Sequence, residues 1–205
     1  MTSSRHMTSQ ERKDLTVRAV VELCGQQDPA RITTASIAER MKVTQGALFR
    51  HFANKDAIWR AVIEWVVERV MRRLDASVQD ADTSLAALEA MFMTHIDFIV
   101  EHPGVPRMLL GQLQRAEPTS ATRMVRALLF LYRERLEARL MEGRASGELR
   151  ADLNIEAAAT QFIGAIQGLV IQSMMAGNGV HIADQAADAF ILYRHSIEAR
   201  VEEEA

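Results

Sequence analysis

Apolar side chains recur at three- and four-residue intervals along nearly the whole chain and seldom alternate, a spacing that predicts an all-α protein. A first helix runs from about Ser9 to Gln26, with Leu15, Ala19, Val20 and Leu23 on one face, and the following Gln-Asp-Pro-Ala ends it. Two short helices, Thr34 to Met41 and Gln45 to His51, are separated by Lys42-Val43-Thr44. A long helix from Lys55 to about Val78 turns Ile58, Val62, Trp65, Val66, Arg69 and Leu74 toward its packing partner. The pattern resumes from Leu85 to Glu101, breaks at His102-Pro103-Gly104, and continues as a short helix to about Leu113. Ala116-Glu-Pro-Thr-Ser then opens a long amphipathic helix ending near Gly143 or Gly147, and the last two helices cover about Ile155 to Gly177 and Ile182 to Ala199.

Residues 157–183 contain no Asp, Glu, Lys or Arg, long enough for a membrane span. Gln161, Gln167, Gln172, Ser173 and Asn178, the glycines and the lack of flanking basic clusters argue against one. A helix apolar nearly all round instead buries one side in its own core and the other against a partner, and Gly164 and Gly168 let a second helix approach closely.

Composition narrows the class. Of 205 residues 48% are hydrophobic and 25% charged, which fits a soluble globular protein able to bury a core without disulfides or a structural metal. Cys24 is the single cysteine, which excludes an internal disulfide and cysteine-based metal sites and fits a reducing cytoplasm. The polar start MTSSRHMTSQERK is not a secretory signal, so a cytoplasmic location is expected. The overall charge of −3 is uneven: residues 1–60 carry ten Lys+Arg against six Asp+Glu, including all three lysines, and the remainder is acidic. A basic N-terminal quarter suits a polyanionic partner.

The informative stretch is Arg31 to Asp56, RITTASIAERMKVTQGALFRHFANKD. Two short helices joined by a tight turn make a helix-turn-helix, whose second helix can enter a DNA major groove. Ile37, Ala38 and Met41 face inward from the first helix and Leu48 and Phe52 from the second, Val43 lies in the turn, and Thr44 caps the second helix. Gln45, Gly46, Phe49, Arg50 and His51 then point outward, and Gln and Arg can bond adenine and guanine edges bidentately. Asn54 caps the next helix, leaving Lys55 where a phosphate can sit.

ITTASIAERMKVTQGALFRHFANKD resembles the DNA-binding segment of the TetR/AcrR family of bacterial transcriptional regulators, over roughly the first third of the chain. ARITTA and HPGVPRML are also similar, more weakly, to the branch of that family containing the nucleoid-occlusion cell-division inhibitor. The resemblance implies a helix-turn-helix DNA-binding domain over 9–54 and a helical regulatory domain over 55–205. It carries the family's DNA contacts onto Thr34, Thr44, Gln45, Gly46, Phe49, Arg50, His51 and Lys55. Two positions depart from the pattern: Phe49 replaces a common Tyr and lacks its phosphate-reaching hydroxyl, and Lys42 replaces the usual turn Gly. It further implies dimerisation through the last two helices, with Ile163, Gly164, Gly168, Ile171, Met175 and Phe190 as the interface. A small-molecule effector is expected between the middle helices, lined by Met91, His95, Phe98, Met108, Leu113, Tyr132, Phe162 and Ile166; with only His95 and Tyr132 strongly polar, it should be apolar or amphipathic.

The remaining candidates carry less. His95 and His102 lie about 10 Å apart along a helix, too far to share a metal. Asp97 and Glu101 lack a nucleophile or base partner, and no phosphate loop, nucleophile elbow or metal motif occurs, so neither an enzyme nor a cofactor is expected. Met91, Met93, Met108, Met124, Met174 and Met175 suit core filling or an adaptable apolar pocket. The expected function is a homodimeric DNA-binding regulator, a repressor released from double-stranded DNA by an effector of unknown identity, with no membrane partner. The alternative is a nucleoid-occlusion-type interaction protein that binds DNA without an effector.

Overall fold

The computed structural model describes residues 8–176 and 182–199; the end of the predicted helix at Gly177 lies outside them. Among the described residues the order is α1 (Ser9–Gln26), a 3-10 turn (Pro29–Arg31), α2 (Thr34–Arg40), α3 (Gln45–Phe49), α4 (Lys55–Ser77), α5 (Ser84–Glu101), α6 (Gly104–Leu113), α7 (Ser120–Ser146), α8 (Ile155–Ala176) and α9 (Ile182–Ile197). The fold is all-α, and none of the described helices is long and apolar enough to cross a membrane.

Packing gathers these helices into two compact units. One holds the described residues up to Glu68 together with His102–Leu128; the other holds Arg69–Glu101 and the described residues from Leu129 onward. The expected division into 9–54 and 55–205 follows chain order, whereas packing joins segments distant in sequence.

In the first unit, α1 starts at a capping box: the Glu11 amide donates to Thr8 Oγ1 at 3.2 Å and the Thr8 amide donates to Glu11 Oε2 at 2.7 Å. Val17, Val20, Val21 and Cys24 form its buried arc. Leu15, expected on that face, is 44% exposed. At 100° per residue it lies on the far side from Val17, with Arg18 and Glu22, so the face is centred two residues later than the apolar spacing suggests. α6 packs on α1 at backbone distance: a Cβ placed on Gly104 would lie 2.1 Å from the Val21 carbonyl oxygen and 2.7 Å from the Gly25 nitrogen. Arg107 on α6 donates through Nη1 to the Gly25 carbonyl at 3.2 Å, and Thr122 Oγ1 donates to the Gln112 carbonyl at 3.2 Å, joining α6 to the start of α7.

In the second unit α5, α8 and α9 pack on one another around aromatic rings. Phe92 meets Phe162 edge-on at 5.2 Å and Phe190 at 5.4 Å, and Phe162 meets Tyr193 at 5.3 Å. Tyr193 satisfies its buried hydroxyl by donating to the Ala158 carbonyl at 3.2 Å. Gly143 lets Leu149 and Ser84 close on α7, where any Cβ would stand 2.8 Å from both side chains. Glu148 then accepts the Leu85 amide at 3.1 Å, capping the start of α5.

The α1–α6 approach has no room for a methyl group. Gly104→Ala is expected to lower unfolding free energy by about 2 kcal/mol or more in urea titrations, since the obstructing atoms are backbone and cannot turn aside. An unchanged midpoint would show that α6 slides freely on α1.

Candidate functional site

The helix-turn-helix is assembled from α2 and α3 with α1 behind them. Thr33 caps α2: its Oγ1 accepts the Ser36 amide at 3.1 Å while Ser36 Oγ accepts the Thr33 amide at 3.0 Å. The Thr-x-x-Ser spacing was visible in the sequence, and it puts Thr34 at the first helical position rather than at the cap. Arg40 near the end of α2 binds the Glu22 carboxylate of α1 through both Nε and Nη2, an exposed pair that fixes orientation more than it stabilises. Ile37, Ala38, Leu48 and Phe52 are buried, while Met41 and Val43 are half-buried.

The turn between the helices has left-handed geometry. Lys42 has φ 55°, with its amide donating to the Glu39 carbonyl and the Val43 amide donating back to the Ala38 carbonyl, both at 2.9 Å. These hydrogen bonds close the end of α2 in the manner usually served by glycine. The departure noted at this position is therefore a real conformational cost, about 1 kcal/mol for a side chain with a Cβ.

Thr44 extends into α3 as its N-cap, accepting the Ala47 amide at 3.2 Å. With Leu48 anchored in the core, Gln45, Gly46, Phe49 and Arg50 are turned outward; Phe49 is 45% exposed. His51 is only half-buried, and its Nδ1 is hydrogen-bonded to Ser9 Oγ at 3.3 Å. Asn54 Oδ1 accepts the Ala57 amide at 2.8 Å, which sets the start of α4 beside Lys55. Thr44, Gln45, Gly46, Phe49, Arg50 and Lys55 are thus gathered on the α3 segment and the first turn of α4, with Thr34 at the start of α2.

The residues expected around an effector divide between the units. Met91, His95, Phe98, Tyr132, Phe162 and Ile166 belong to the second, whereas Met108 and Leu113 belong to the first, Met108 buried and Leu113 exposed. His95 Nδ1 and the Tyr132 hydroxyl are hydrogen-bonded at 3.1 Å. Burial holds the His95 imidazole neutral, with its pKa lowered to about 4, and raises that of the Tyr132 hydroxyl. Around this pair the lining is apolar, and Phe162 is locked against Phe92 and Tyr193.

The residues expected at a dimer interface also divide. Ile171 and Met175 lie on the outer face of α8, Met175 at 82% exposure, and Gly164 and Gly168 have open space where a Cβ would stand. Ile163 is half-buried beside them. Phe190 does not join them: it is 2% exposed, packed against Phe92 and Tyr193, because the inner face of α9 is set by Ile182, Ala186, Phe190, Tyr193 and Ile197. The outer apolar positions of α9 are Ile191 and Leu192, which the sequence reading missed although they sit beside Phe190 in the chain. No cluster of three metal-ligating side chains occurs among the described residues.

Residues 17–62 match bacterial regulatory proteins of the tetR family, and residues 115–190 match a tetracyclin repressor-like C-terminal domain. The nucleoid occlusion factor SlmA of Marinobacter nauticus is 33% identical over 149 residues, spanning 72% of this chain and 74% of that protein. Among solved structures, the transcriptional regulator FadR from Bacillus subtilis, in complex with stearoyl-CoA, has a TM-score of 0.78 at 18% identity over 90% of this chain and 99% of its own. A TetR transcriptional regulator from Chloroflexus aurantiacus has a TM-score of 0.79 at 17% identity, over 94% and 98%. At those identities the two structures share the fold.

Two measurements follow from the geometry. Lys42→Gly is expected to stabilise the protein by up to about 1 kcal/mol, reduced by the greater freedom glycine gives the unfolded chain; a lower melting temperature would contradict the strain at this position. His95 binds its proton near pH 4 when folded and near 6.5 when unfolded, so the unfolded state is favoured as pH falls between those values. Stability should drop by about 3 kcal/mol across that window from this group, and His95→Gln should flatten the slope by about one proton.

Proposed function

The chain belongs to the TetR family of bacterial regulatory proteins, DNA-binding regulators rather than enzymes, and on that premise we propose that it is a homodimeric repressor released from its operator by an apolar or amphipathic effector. The observation that carries the DNA-binding half is the outward face of α3. Gln45, Gly46, Phe49 and Arg50 are exposed together while Thr44 fixes the helix start and Leu48 fixes its depth. Arg50 and Gln45 read base edges, the bare backbone at Gly46 allows close approach, and Lys55 holds a phosphate at the start of α4. Phe49 supplies an apolar contact of the kind thymine methyl groups accept.

The second copy meets the outer face of α8 and α9. Ile171, Met174 and Met175 on α8 and Ile191 and Leu192 on α9 present apolar side chains to water, Leu192 at 71% exposure. Leaving that surface wet costs about 25 cal/mol per Å², which a symmetric partner removes. A dimer also sets two α3 helices against one DNA face, where successive major grooves recur about every 34 Å.

The effector reading is supported by the His95–Tyr132 pair, one neutral donor–acceptor couple in an apolar surrounding, which suits a mostly apolar ligand with one hydrogen-bonding group. A second reading is favoured by the 33% identity to a nucleoid occlusion factor and by the mutual packing of Phe92, Phe162, Phe190 and Tyr193: a DNA-bound interaction protein that needs no effector. Mapping bound fragments across the source genome separates them. A few sites beside a transporter or enzyme gene support the repressor, and many sites dispersed over the chromosome support the alternative.

Arg50→Ala or Gln45→Ala should cost about 1–3 kcal/mol on the selected site and relax the base preference there, whereas Lys55→Ala should weaken specific and non-specific binding alike and lower the salt slope by about one unit. Equal loss of specificity from all three would contradict this division of roles. In sedimentation at micromolar concentration the protein should run at twice its chain mass, and Ile171→Glu with Leu192→Glu should run as a monomer. A monomeric parent protein would exclude the α8–α9 interface.

A further inference from the structure

The turn between α2 and α3 holds an ammonium group at a strained position. Lys42 is the one non-glycine residue with a positive φ among the described residues. Its side chain is exposed, and no hydrogen bond or ion pair engages it among the described residues. The charges beside it are otherwise placed: Arg40 is bound by Glu22 of α1, and Glu39, also exposed, makes no ion pair with Lys42 among the described residues. Glycine relieves the strain of a left-handed backbone, and asparagine visits that region more readily than other side chains do. What lysine brings over either is a long stem carrying a positive charge. Backbone outliers of this kind collect where position serves binding.

The location gives that charge a counterpart. When a helix-turn-helix docks, the second helix lies in the major groove with its N-terminal residues on base edges, while the first crosses the phosphate backbone. The turn joining the two therefore stands at the wall of the groove, between bases and phosphates. Here the turn is held firmly to both helices. The Val43 amide donates to the Ala38 carbonyl of α2 at 2.9 Å, and Thr44, two residues after Lys42, caps α3 by accepting the Ala47 amide at 3.2 Å. The backbone of Lys42 is thus fixed relative to the start of α3, whose Gln45 and Gly46 are exposed, and only its side-chain torsions remain to be ordered on contact.

We propose that Lys42 is a further DNA-contacting residue, its ammonium holding a phosphate at the groove wall distinct from the one held by Lys55 at the start of α4. The proposal rests on the DNA-binding reading of α3. An ammonium acts on phosphate as a compact point charge and needs no fixed angle of approach. The contact therefore adds affinity and fixes the seating of the turn without adding base preference. Counterions released from that phosphate make its contribution fall as salt rises. It involves none of the residues assigned to the effector or to the dimer face.

The test uses the full-length protein with a duplex selected by it from genomic fragments, and with a scrambled duplex of the same length. Lys42→Asn keeps a residue tolerant of the left-handed backbone and removes only the charge. On both duplexes it should lower the salt slope by about one unit, so that it loses about threefold less affinity than the parent between roughly 50 and 200 mM salt. Lys42→Arg should restore the slope, and circular dichroism should show the parent helix content in both variants. Single methylphosphonates, each removing one phosphate charge, then locate the contact. One position should weaken the parent and leave Lys42→Asn unaffected, and it should differ from the position silenced by Lys55→Ala. The proposal alone is overturned if Lys42→Asn keeps the parent slope, or if every methylphosphonate costs the two proteins the same. A parent protein that binds neither genomic fragments nor the scrambled duplex overturns the DNA-binding reading and this contact together.

Discussion

The closeness of α6 to α1 depends on a missing side chain. With only a hydrogen at Gly104, the first turn of α6 lies directly on the carbonyl of Val21 and the amide of Gly25, and that approach brings Arg107 within reach of the last turn of α1. Val20, Val21 and Cys24 of α1 are buried, and α1 in turn supplies the surface on which α2 rests. The placement of the helix-turn-helix is thus referred, through α1, to a segment more than fifty residues further along the chain. Such an arrangement makes the first unit a mosaic in which a change in α6 is felt by α1 without an intervening side chain to absorb it.

Within the helix-turn-helix itself the geometry rests on caps more than on helix length. α3 has five residues, too few to be stable by its own hydrogen bonds, and it persists because Thr44 satisfies its first amides and Leu48 is held in the core. Against that economy the turn is costly at Lys42, where a left-handed backbone carries a Cβ. The strain sits at the connection that sets the angle between α2 and α3, the kind of place where such costs gather when position matters more than stability.

Much of this was legible in the sequence. Helix spacing, Pro and Gly breaks and the Thr and Asn caps located all nine described helices, because each signal is local. The outward set on α3 followed from fixing Leu48 and Phe52 inward. Leu15 and Phe190 were misplaced for one reason: an apolar residue on a helix with apolar positions on two sides does not declare which side is inner, and that is decided by neighbours far away in the chain. The same limit hid Ile191, Leu192 and the two-unit grouping. His51 was read as an outward residue at the end of the second short helix, but α3 ends at Phe49 and the bond of His51 to Ser9 depends on where α1 ends up.

The lone thiol has a practical corollary. Cys24 is wholly buried on α1 and its pKa is pushed up to about 12, so at neutral pH it is neither accessible nor ionised, and thiolate is the species that alkylates. The native chain is therefore silent toward maleimide and methanethiosulfonate reagents. A cysteine introduced at an exposed surface position would be the sole reactive one, allowing a spin label or fluorophore to be attached there without first removing Cys24 from a helix that has no space to spare. The surroundings of such a label could then be followed in solution, with and without DNA, on an otherwise unaltered protein.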